Sequence, residues 1–273
     1  MWHRKPVVAG SFYPSNSKKL SEDVDFYLQA VEKKELDGEL IGLISPHAGY
    51  VYSAPVAAYS FIQLMNMDID VAIVLAPSHS ARFNGASVIV SGKYETPLGA
   101  VEIDEKIGKK FLNEPHFTFL KDVHVNEHSL EVQVPFLQKV IQNFKIVPII
   151  IGVIDLVTCS AIAEEISRNL IEEDRKFVII ISTDLSHYNP YDKAREIDGI
   201  FIENLEKYDE NSLYDVLKRD QAQACGQGPV LTGIIASKNL GAGKIDILKY
   251  ATSGDTAGDK GQVVGYLAAA VLK

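Results

Sequence analysis

Residues 41–50, with the sequence IGLISPHAGY, decide the fold that we predict for this chain. The apolar run at 41–44 is closed by Pro46 and Gly49, which is typical of a strand that is buried on both faces of a sheet. His47 follows that run almost directly. The stretch therefore predicts a buried strand that carries an imidazole just past its carboxyl end.

The same arrangement returns twice along the chain. An apolar run at 71–76 precedes His79, and another at 177–181 precedes His187. Ligands bind at the carboxyl edge of open α/β sheets, because strand ends and helix starts leave a crevice there. A single turn histidine is more often bonded to a carbonyl group, but three at equivalent positions indicate a shared site. We therefore expect His47, His79 and His187 to lie close together.

Strands and helices alternate along the whole chain. Further strands are predicted at 146–151, 245–250 and 263–270, and no linker rich in Pro, Gly or Ser separates them. We expect one domain over residues 1–273, an α/β/α sandwich around a largely parallel or mixed sheet. No G-x-G-x-x-G follows a strand and no G-x-x-x-x-G-K-[ST] occurs, which argues against the nucleotide-binding folds.

Helix boundaries are predicted from capping residues and apolar spacing. Ser17 is the expected N-cap of a first helix. Ser53 is the expected N-cap of a second, which runs to about residue 65 with Pro55 near its first turn. A further helix is expected over residues 129–142, and all of these helices should pack against the sheet.

The overall composition limits the classes of partner and location. Of the 273 residues 47% are hydrophobic, the net charge is -9, and no block of basic residues occurs. Nucleic acids and anionic membranes attract clustered Lys and Arg, so neither is an expected partner. No apolar run approaches the ~20 residues that cross a bilayer, and the first residues do not resemble a signal peptide. With only two cysteines, Cys159 and Cys225, we expect a cytoplasmic protein.

A transition-metal site is the first hypothesis for the predicted sheet edge. Neutral imidazole is the commonest metal ligand, which makes His47 and His79 the first two candidates. Cys225 is the third, because the sequence CGQGP places it just before a helix start, where oriented N–H groups favour the thiolate. The competing explanation for Cys225 is a buried structural cysteine.

Four further residues are candidates for acid–base chemistry. His187 is either a fourth ligand or a general acid/base, and Asp184, three residues earlier, could orient a ring. Asp184 is equally explained as a turn aspartate that accepts from backbone N–H groups. Glu127 and His128 form a second acid–base pair beside a helix start. Aromatic residues near these motifs are expected to line a pocket: Phe12, Tyr50, Tyr52 and Tyr188.

A rival hypothesis makes Cys225 a nucleophile. His187 or His47 would be its base, and Asp184 would orient that base. Spacing along the chain does not exclude this triad. It would, however, leave one or two of the strand-end histidines without a role.

Eight motifs together resemble the Memo family over essentially the whole chain, from residue 9 to the last strand. They are AGSFYP, SPHAGYVYSAPVAA, LAPSHS, ETPLG, NEHSLEVQVPFL, STDLSH, ACGQGP and YATSGDT. The resemblance implies the LigB-like fold of the class III extradiol dioxygenases, with a non-haem iron site. It places His47, His79 and Cys225 on the metal positions and His187 on a nearby histidine. It also places the run 127–129 on the wall of the same cleft.

The resemblance further implies iron(II) or copper as the cofactor, with zinc a possible substitute. The function it favours is a metal-dependent redox protein that resembles those dioxygenases, in which Cys225 stands where they have a carboxylate. The alternative is a non-catalytic module that binds a (phospho)peptide or another small ligand in the same cleft. The family resemblance also implies a radical-SAM protein and an AMMECR1-type protein as partners.

Overall fold

A mixed β-sheet forms the middle layer of the computed structural model, which describes residues 2–152 and 155–273. The strands are β1 (His3–Arg4), β2 (Leu40–Ser45), β3 (Val71–Pro77), β4 (Ala86–Val88), β5 (Lys93–Thr96), β6 (Gly99–Ile103), β7 (Phe117–Thr118), β8 (Lys145–Ile151), β9 (Phe177–Ser182), β10 (His187–Asn189), β11 (Lys244–Thr252) and β12 (Val263–Leu272). The helices are α1 (Ser17–Gln29), α2 (Tyr50–Phe61), α3 (Glu105–Leu112), α4 (Lys121–Val125), α5 (His128–Glu131), α6 (Val134–Val140), α7 (Leu156–Ile171), α8 (Tyr191–Glu206), α9 (Glu210–Lys218), α10 (Gln227–Asn239) and α11 (Ser253–Ala257), with a 3₁₀ turn at Ile62–Leu64. The strand order is β1-β5-β6-β8-β3-β9-β2-β12-β10, with β11 beside β12 and β4 beside β7 and β8.

The centre of the sheet is parallel, as predicted. β3 pairs with β8 on one side and with β9 on the other, and β9 pairs with β2, all in parallel. Ile181 of β9 lies opposite both Ile44 of β2 and Leu75 of β3, so the three strands end level with one another. β12 joins β2 in antiparallel orientation. The chain segments that follow β2, β3 and β9 therefore leave the sheet at one edge.

Side chains of the central strands alternate between two apolar cores, one on each face of the sheet. In β3, Ile73 and Leu75 belong to one core, and Val74 and Ala76 to the other. Helices α7, α8, α9 and α10 cover the first face, and α1, α2 and α6 cover the second. The result is the predicted α/β/α sandwich. None of its helices within the described residues combines the length and apolar character that a membrane crossing demands.

Two helix starts differ from the predicted ones. Asn16, not Ser17, caps α1, because its side chain accepts from a backbone amide of the first turn. α2 begins at Tyr50, so Ser53 and Pro55 lie inside it rather than at its start. Most of this helix is buried against the sheet, and that packing outweighs the local preference of serine and proline for a helix start.

The predicted helix over residues 129–142 is interrupted and forms α5 and α6. Pro135 is the second residue of α6, where its missing N–H costs nothing. Inside one continuous helix the same proline would remove a hydrogen bond and clash with the preceding turn. The break leaves Glu127 as the N-cap of the short helix α5 at the sheet edge.

A buried ion pair ties the N-terminal segment to α5. The Glu131 carboxylate accepts hydrogen bonds from the Arg4 guanidinium, the Tyr13 hydroxyl and the backbone amides of Val7 and Val8. Arg4 is 1% exposed and Glu131 is 0% exposed. Charges buried to this degree are tolerated only when they are paired and hydrogen-bonded. The pair therefore fixes the N-terminal segment beside the helix that borders the sheet edge.

We predict that Glu131→Gln lowers the free energy of unfolding by about 3–5 kcal/mol, because the Arg4 charge then stays buried without its counter-ion. Urea unfolding followed by circular dichroism measures this loss. The double variant Arg4→Met/Glu131→Gln should lose less, since no charge is stranded. Glu22→Gln, which removes an exposed pair with Lys18, is the control and should cost less than about 1 kcal/mol. Equal losses in the single and double variants would contradict the explanation.

His124 makes stability depend on pH. It is 1% exposed, its Nε2 lies 3.0 Å from Ser87 Oγ, and burial lowers its pKa to about 3. In the unfolded chain the same ring binds a proton near its ordinary pKa of ~6.5. Below that pH the unfolded state binds more protons than the folded state, so the free energy of unfolding falls as the pH falls.

At pH 5 this linkage should cost about 2 kcal/mol of unfolding free energy relative to a protein without the group. His124→Gln removes it, so the stability of the variant relative to the parent should rise by that amount between pH 7 and pH 5. Urea unfolding at the two pH values, with a chelator in every sample, measures the shift. A stability difference that is the same at both pH values would be incompatible with this role.

Candidate metal centre

Three imidazoles meet at the edge where β2 and β3 end. His47 follows β2, His79 follows β3, and His128 is the first residue of α5. Each offers a nitrogen that lies within 4.8 Å of a nitrogen of the other two. The ring centroids of His47 and His79 are 5.2 Å apart, and those of His79 and His128 are 4.6 Å apart. The expected approach of His47 and His79 is confirmed, and His128, expected in acid–base chemistry, belongs to the same cluster.

A buried carboxylate holds His79 in place. Glu127 Oε1 lies 2.9 Å from His79 Nδ1, and Oε2 accepts from the His79 amide at 2.6 Å. Ser129 donates to Glu127 Oε1 through both its amide and its hydroxyl. Burial acts to raise the pKa of Glu127, but these hydrogen bonds outweigh it and lower the pKa to about 2. An ionised Glu127 requires the proton of His79 on Nδ1, which leaves the Nε2 lone pair for a metal.

The hydrogen bonds around Ser182 likewise determine the tautomer of His47. Ser182 Oγ lies 2.9 Å from His47 Nδ1, and the hydroxyl donates its single hydrogen to the Ser129 carbonyl. Gln133 Nε2 donates to the same oxygen. Ser182 can therefore only accept from His47, so Nδ1 carries the proton and Nε2 keeps its lone pair.

Burial favours the uncharged form of two of these rings, His47 and His128. It is the main cause that lowers the pKa of His47 well below the ordinary value, and the neighbouring imidazoles add to it. Burial also lowers the pKa of His128. Neutral imidazole is the form that binds metals, so His47 and His128 are in the ligating state near neutral pH.

Cys225 contacts His47 from the start of α10 but lies outside the group of three mutually close imidazoles. Its Sγ lies 3.1 Å from His47 Nε2 and accepts from the Asp184 amide at 3.2 Å. Gly226 permits this approach, because a Cβ there would lie 2.5 Å from the Ser182 carbonyl oxygen. Burial, and then the Asp184 carboxylate, raises the pKa of the Cys225 thiol. The expected preference for the thiolate is therefore wrong without a cation, and coordination to a metal is what would deprotonate the thiol.

Asp184 supports His47 rather than His187. Its Oδ1 accepts from the His47 amide at 2.7 Å, and its Oδ2 lies 4.0 Å from His47 Nε2. Among the described residues it makes no hydrogen bond to the His187 ring, which corrects the orienting role expected from the sequence. Burial raises the pKa of Asp184 to about 7. The explanation of Asp184 as an acceptor of a backbone N–H is thus confirmed, and its carboxyl group also borders the cluster.

The nucleophile hypothesis is met only in part. The contact between Cys225 and His47 provides its first two members. The group that orients His47 through Nδ1 is the neutral hydroxyl of Ser182, not the expected Asp184 carboxylate. The arrangement therefore lacks the charged third member that stabilises an imidazolium in catalytic triads.

A cavity of about 670 Å³ opens over the cluster, a size that admits a small organic molecule. His187 lines it beside His47, His79 and His128. His187 lies outside the group of three mutually close imidazoles, and burial lowers its pKa. This position suits an acid–base group that faces a ligand better than a ligand to the metal.

The cavity wall contains three of the four aromatic residues expected there. Phe12, Tyr52 and Tyr188 line it. Tyr50 does not, because as the first residue of α2 it turns into the core, where it is 5% exposed and donates to the Val132 carbonyl. Its expected role in the pocket is therefore replaced by a structural one.

Four contributors to the site were not identified from the sequence. Ser182 and Gln133 orient His47 from within a strand and between two short helices, so only the three-dimensional contact reveals them. Tyr266 and Asp259 line the cavity. Tyr266 is part of an apolar strand, and its apolar neighbours gave no sign that its side chain reaches a ligand site.

The model of the Memo-like protein family matches residues 4–270. The chain belongs to the Memo family. A MEMO1 family protein of Saccharolobus solfataricus is 40% identical over 281 residues, which cover 97% of this chain and 98% of the relative. A MEMO1 family protein of Methanothermobacter thermautotrophicus is 37% identical over 274 residues, covering 96% and 98%. One from Methanopyrus kandleri is 36% identical over 277 residues, covering 97% of each chain.

The donor set of this family member fits a transition metal. Imidazole nitrogen and thiolate sulfur suit iron, copper and zinc, whereas magnesium and calcium prefer oxygen. The contacts from Glu127 to His79 and from Ser182 to His47 are the outer hydrogen bonds that hold metal-binding histidines in one orientation. The three imidazoles are close enough to share such an ion, since their ligand atoms lie within 4.8 Å of one another.

We predict that Glu127→Gln weakens metal binding by about 10–100-fold, because a neutral amide no longer fixes the His79 tautomer. Titration with cobalt(II), followed by its visible absorption, gives the affinity. Glu165→Gln is the matched control, since Glu165 holds His116 through the same pair of contacts outside the cluster. Equal affinities for the two variants would show that the Glu127 contact does not prepare a metal site.

Proposed function

We propose that this protein binds one redox-active transition metal through His47 and His79 and uses it on a small organic molecule in the cavity above. One observation carries the proposal: separate hydrogen bonds at Nδ1 fix two adjacent imidazoles, so that each Nε2 keeps its lone pair. The group that faces His47 Nε2 is Cys225 Sγ, itself a potential metal ligand. Two adjacent rings that both carry the proton on Nδ1 and the lone pair on Nε2 support a metal between them.

Cys225 is the proposed third ligand. Its sulfur is already next to His47 Nε2, and its position on the strand-end side of α10 is held by the Asp184 and Gly226 contacts. His128 is the competing donor, because it belongs to the group of three close imidazoles. A cysteine in the set favours iron(II) or copper, with zinc able to bind the same donors.

Each surrounding residue has a proposed task in this function. The metal supplies Lewis acidity and electron transfer when it is bound. His187 faces the cavity and would hold or move a proton at the bound molecule, since a neutral imidazole serves as a base near neutral pH. Asp184 fixes the His47 backbone, and Glu127 fixes the His79 ring. The aromatic wall would orient the molecule and exclude water.

The relation to class III extradiol dioxygenases is part of the proposal. Cys225 would replace a carboxylate of those enzymes, and the Asp184 carboxyl group near His47 offers an oxygen on the same side. A phenolic or enolisable ring is accordingly the proposed type of substrate. Cytoplasmic location and a role beside radical-SAM and AMMECR1-type proteins are proposed on the family resemblance alone.

The alternative is a binding module that uses the cavity without turnover. It is favoured by the exposed aromatic rings of Tyr52 and Tyr188 at the cavity mouth, which are suited to ligand contact. The two functions differ in whether a bound ligand requires the metal ligands. Binding of a peptide or small molecule that survives replacement of His47, His79 and Cys225 would favour the module.

Elemental analysis of untagged protein purified under anaerobic, reducing conditions tests the metal directly. We expect close to one equivalent of iron, copper or zinc in the parent and a loss of most of it in His79→Ala. Cys225→Ser should lose more metal than His128→Ala if the sulfur is the third ligand. His187→Ala should keep its metal and lose oxygen uptake with phenolic compounds. Parent protein without any bound metal would overturn the proposal.

A further inference from the structure

The mouth of the cavity over the histidine cluster is aromatic and acidic. Tyr52 and Tyr188 line it while they remain 44% and 69% exposed. Tyr266, which is 1% exposed, adds a buried phenol ring to the wall, and Asp259 adds an exposed carboxylate from the turn after α11. Large aromatic side chains that stay exposed at a cavity mouth indicate contact with a ligand.

Tyr188 is held at this mouth by an unusual backbone conformation. Its φ is 59°, in the left-handed region that bulky residues rarely adopt. The pairing of β10 with β12 is irregular between His187 and Asn189, on either side of this residue. The conformation costs stability, and the ring at this position is exposed and lines the cavity. Backbone strain of this kind is retained where it serves a site.

Apart from the histidines of its floor, the described part of the cavity wall carries no cationic side chain. Within residues 2–152 and 155–273, no Lys or Arg lines it. Two basic residues of adjoining segments are engaged with Tyr191 instead: the Lys260 ammonium lies 4.1 Å from the ring centroid, and Arg195 donates to the hydroxyl at 3.0 Å. Carboxylates and phosphates are bound in proteins mainly by Arg, Lys and clustered N–H groups. An anionic tail would therefore meet Asp259 without a cation to offset it.

We propose that the cavity takes a small ring that carries an amine, and that it selects against the same ring with a carboxylate or phosphate. The ammonium would lie at the mouth, between the Asp259 carboxylate and the faces of Tyr52 and Tyr188, which attract cations. The ring would point to the histidine floor. Only this orientation of the ring rests on the proposed function, because the charge preference comes from the mouth alone.

Three compounds with one catechol ring and different tails test the preference. Dopamine carries an ammonium, 4-ethylcatechol a neutral tail and 3,4-dihydroxyphenylacetate a carboxylate. Isothermal titration calorimetry on the full chain, once with zinc at saturation and once with a chelator, gives their affinities. Zinc has no redox chemistry, so it does not oxidise the catechols. It would contact the two ring hydroxyls, which all three compounds share, and would therefore not favour one tail over another. Dopamine should bind about tenfold or more tightly than the acid, with 4-ethylcatechol between them.

Variants locate the preference at the mouth. Asp259→Asn and Tyr188→Leu should each reduce the ratio of dopamine to acid affinity to about threefold, whereas Tyr188→Phe, which keeps the ring face, should preserve it. Asp122→Asn removes the same charge from α4, outside the cavity wall, and should leave the ratio unchanged.

Equal or tighter binding of the acid, or no binding of any of the three compounds, would overturn the inference. If the protein fails to bind zinc but the ratio of dopamine to acid affinity persists with the chelator, the charge preference is supported. Only the proposed metal site is then contradicted. Zinc binding combined with a preference for the acid would support the metal site and overturn the proposed charge preference. Loss of the ratio in Asp122→Asn would place its origin in the overall charge, not in the mouth, and would also overturn it.

Discussion

The level ends of three adjacent parallel strands are the constraint from which the site follows. β9 lies between β3 and β2, so the segments that leave these strands must share one edge of the sheet. His47 and His79 come from the outer two strands, and Ser182 is the last residue of the strand between them. Because β9 lies between β2 and β3, the Ser182 hydroxyl lies beside His47, where it fixes the tautomer of this ring.

A second consequence concerns the elements that close the site from the sides. The break between α5 and α6 leaves Glu127 as a helix cap at the sheet edge, where its carboxylate holds both the ring and the backbone of His79. Gly226 lets the start of α10 approach the end of β9, which brings Cys225 against His47. Packing on both faces of the sheet thus brings three imidazoles together and places the Cys225 sulfur against one of them.

The sequence was sufficient for the fold and for the two central histidines, because buried parallel strands are continuous apolar runs with clear ends. It was insufficient where a partner is distant in the chain. The contact of Glu127 with His79 exists only because β3 delivers His79 beside it. The thiol form of Cys225 depends on burial and on a neighbouring carboxylate, and both come from tertiary packing. Tyr50 and Tyr52 both adjoin the histidine motif, and only the tertiary packing of α2 decides that Tyr52 lines the cavity while Tyr50 enters the core.

The central claim is that one metal ion binds between His47 and His79, and X-ray absorption at the metal edge of loaded protein tests it most directly. The account predicts at least two imidazole ligands at ~2.0–2.1 Å, with one sulfur at ~2.3 Å if Cys225 is the third ligand. His79→Ala should remove one imidazole from that shell or abolish binding. A shell of oxygen atoms with fewer than two imidazoles would contradict the account, because the prepared rings would then have another purpose.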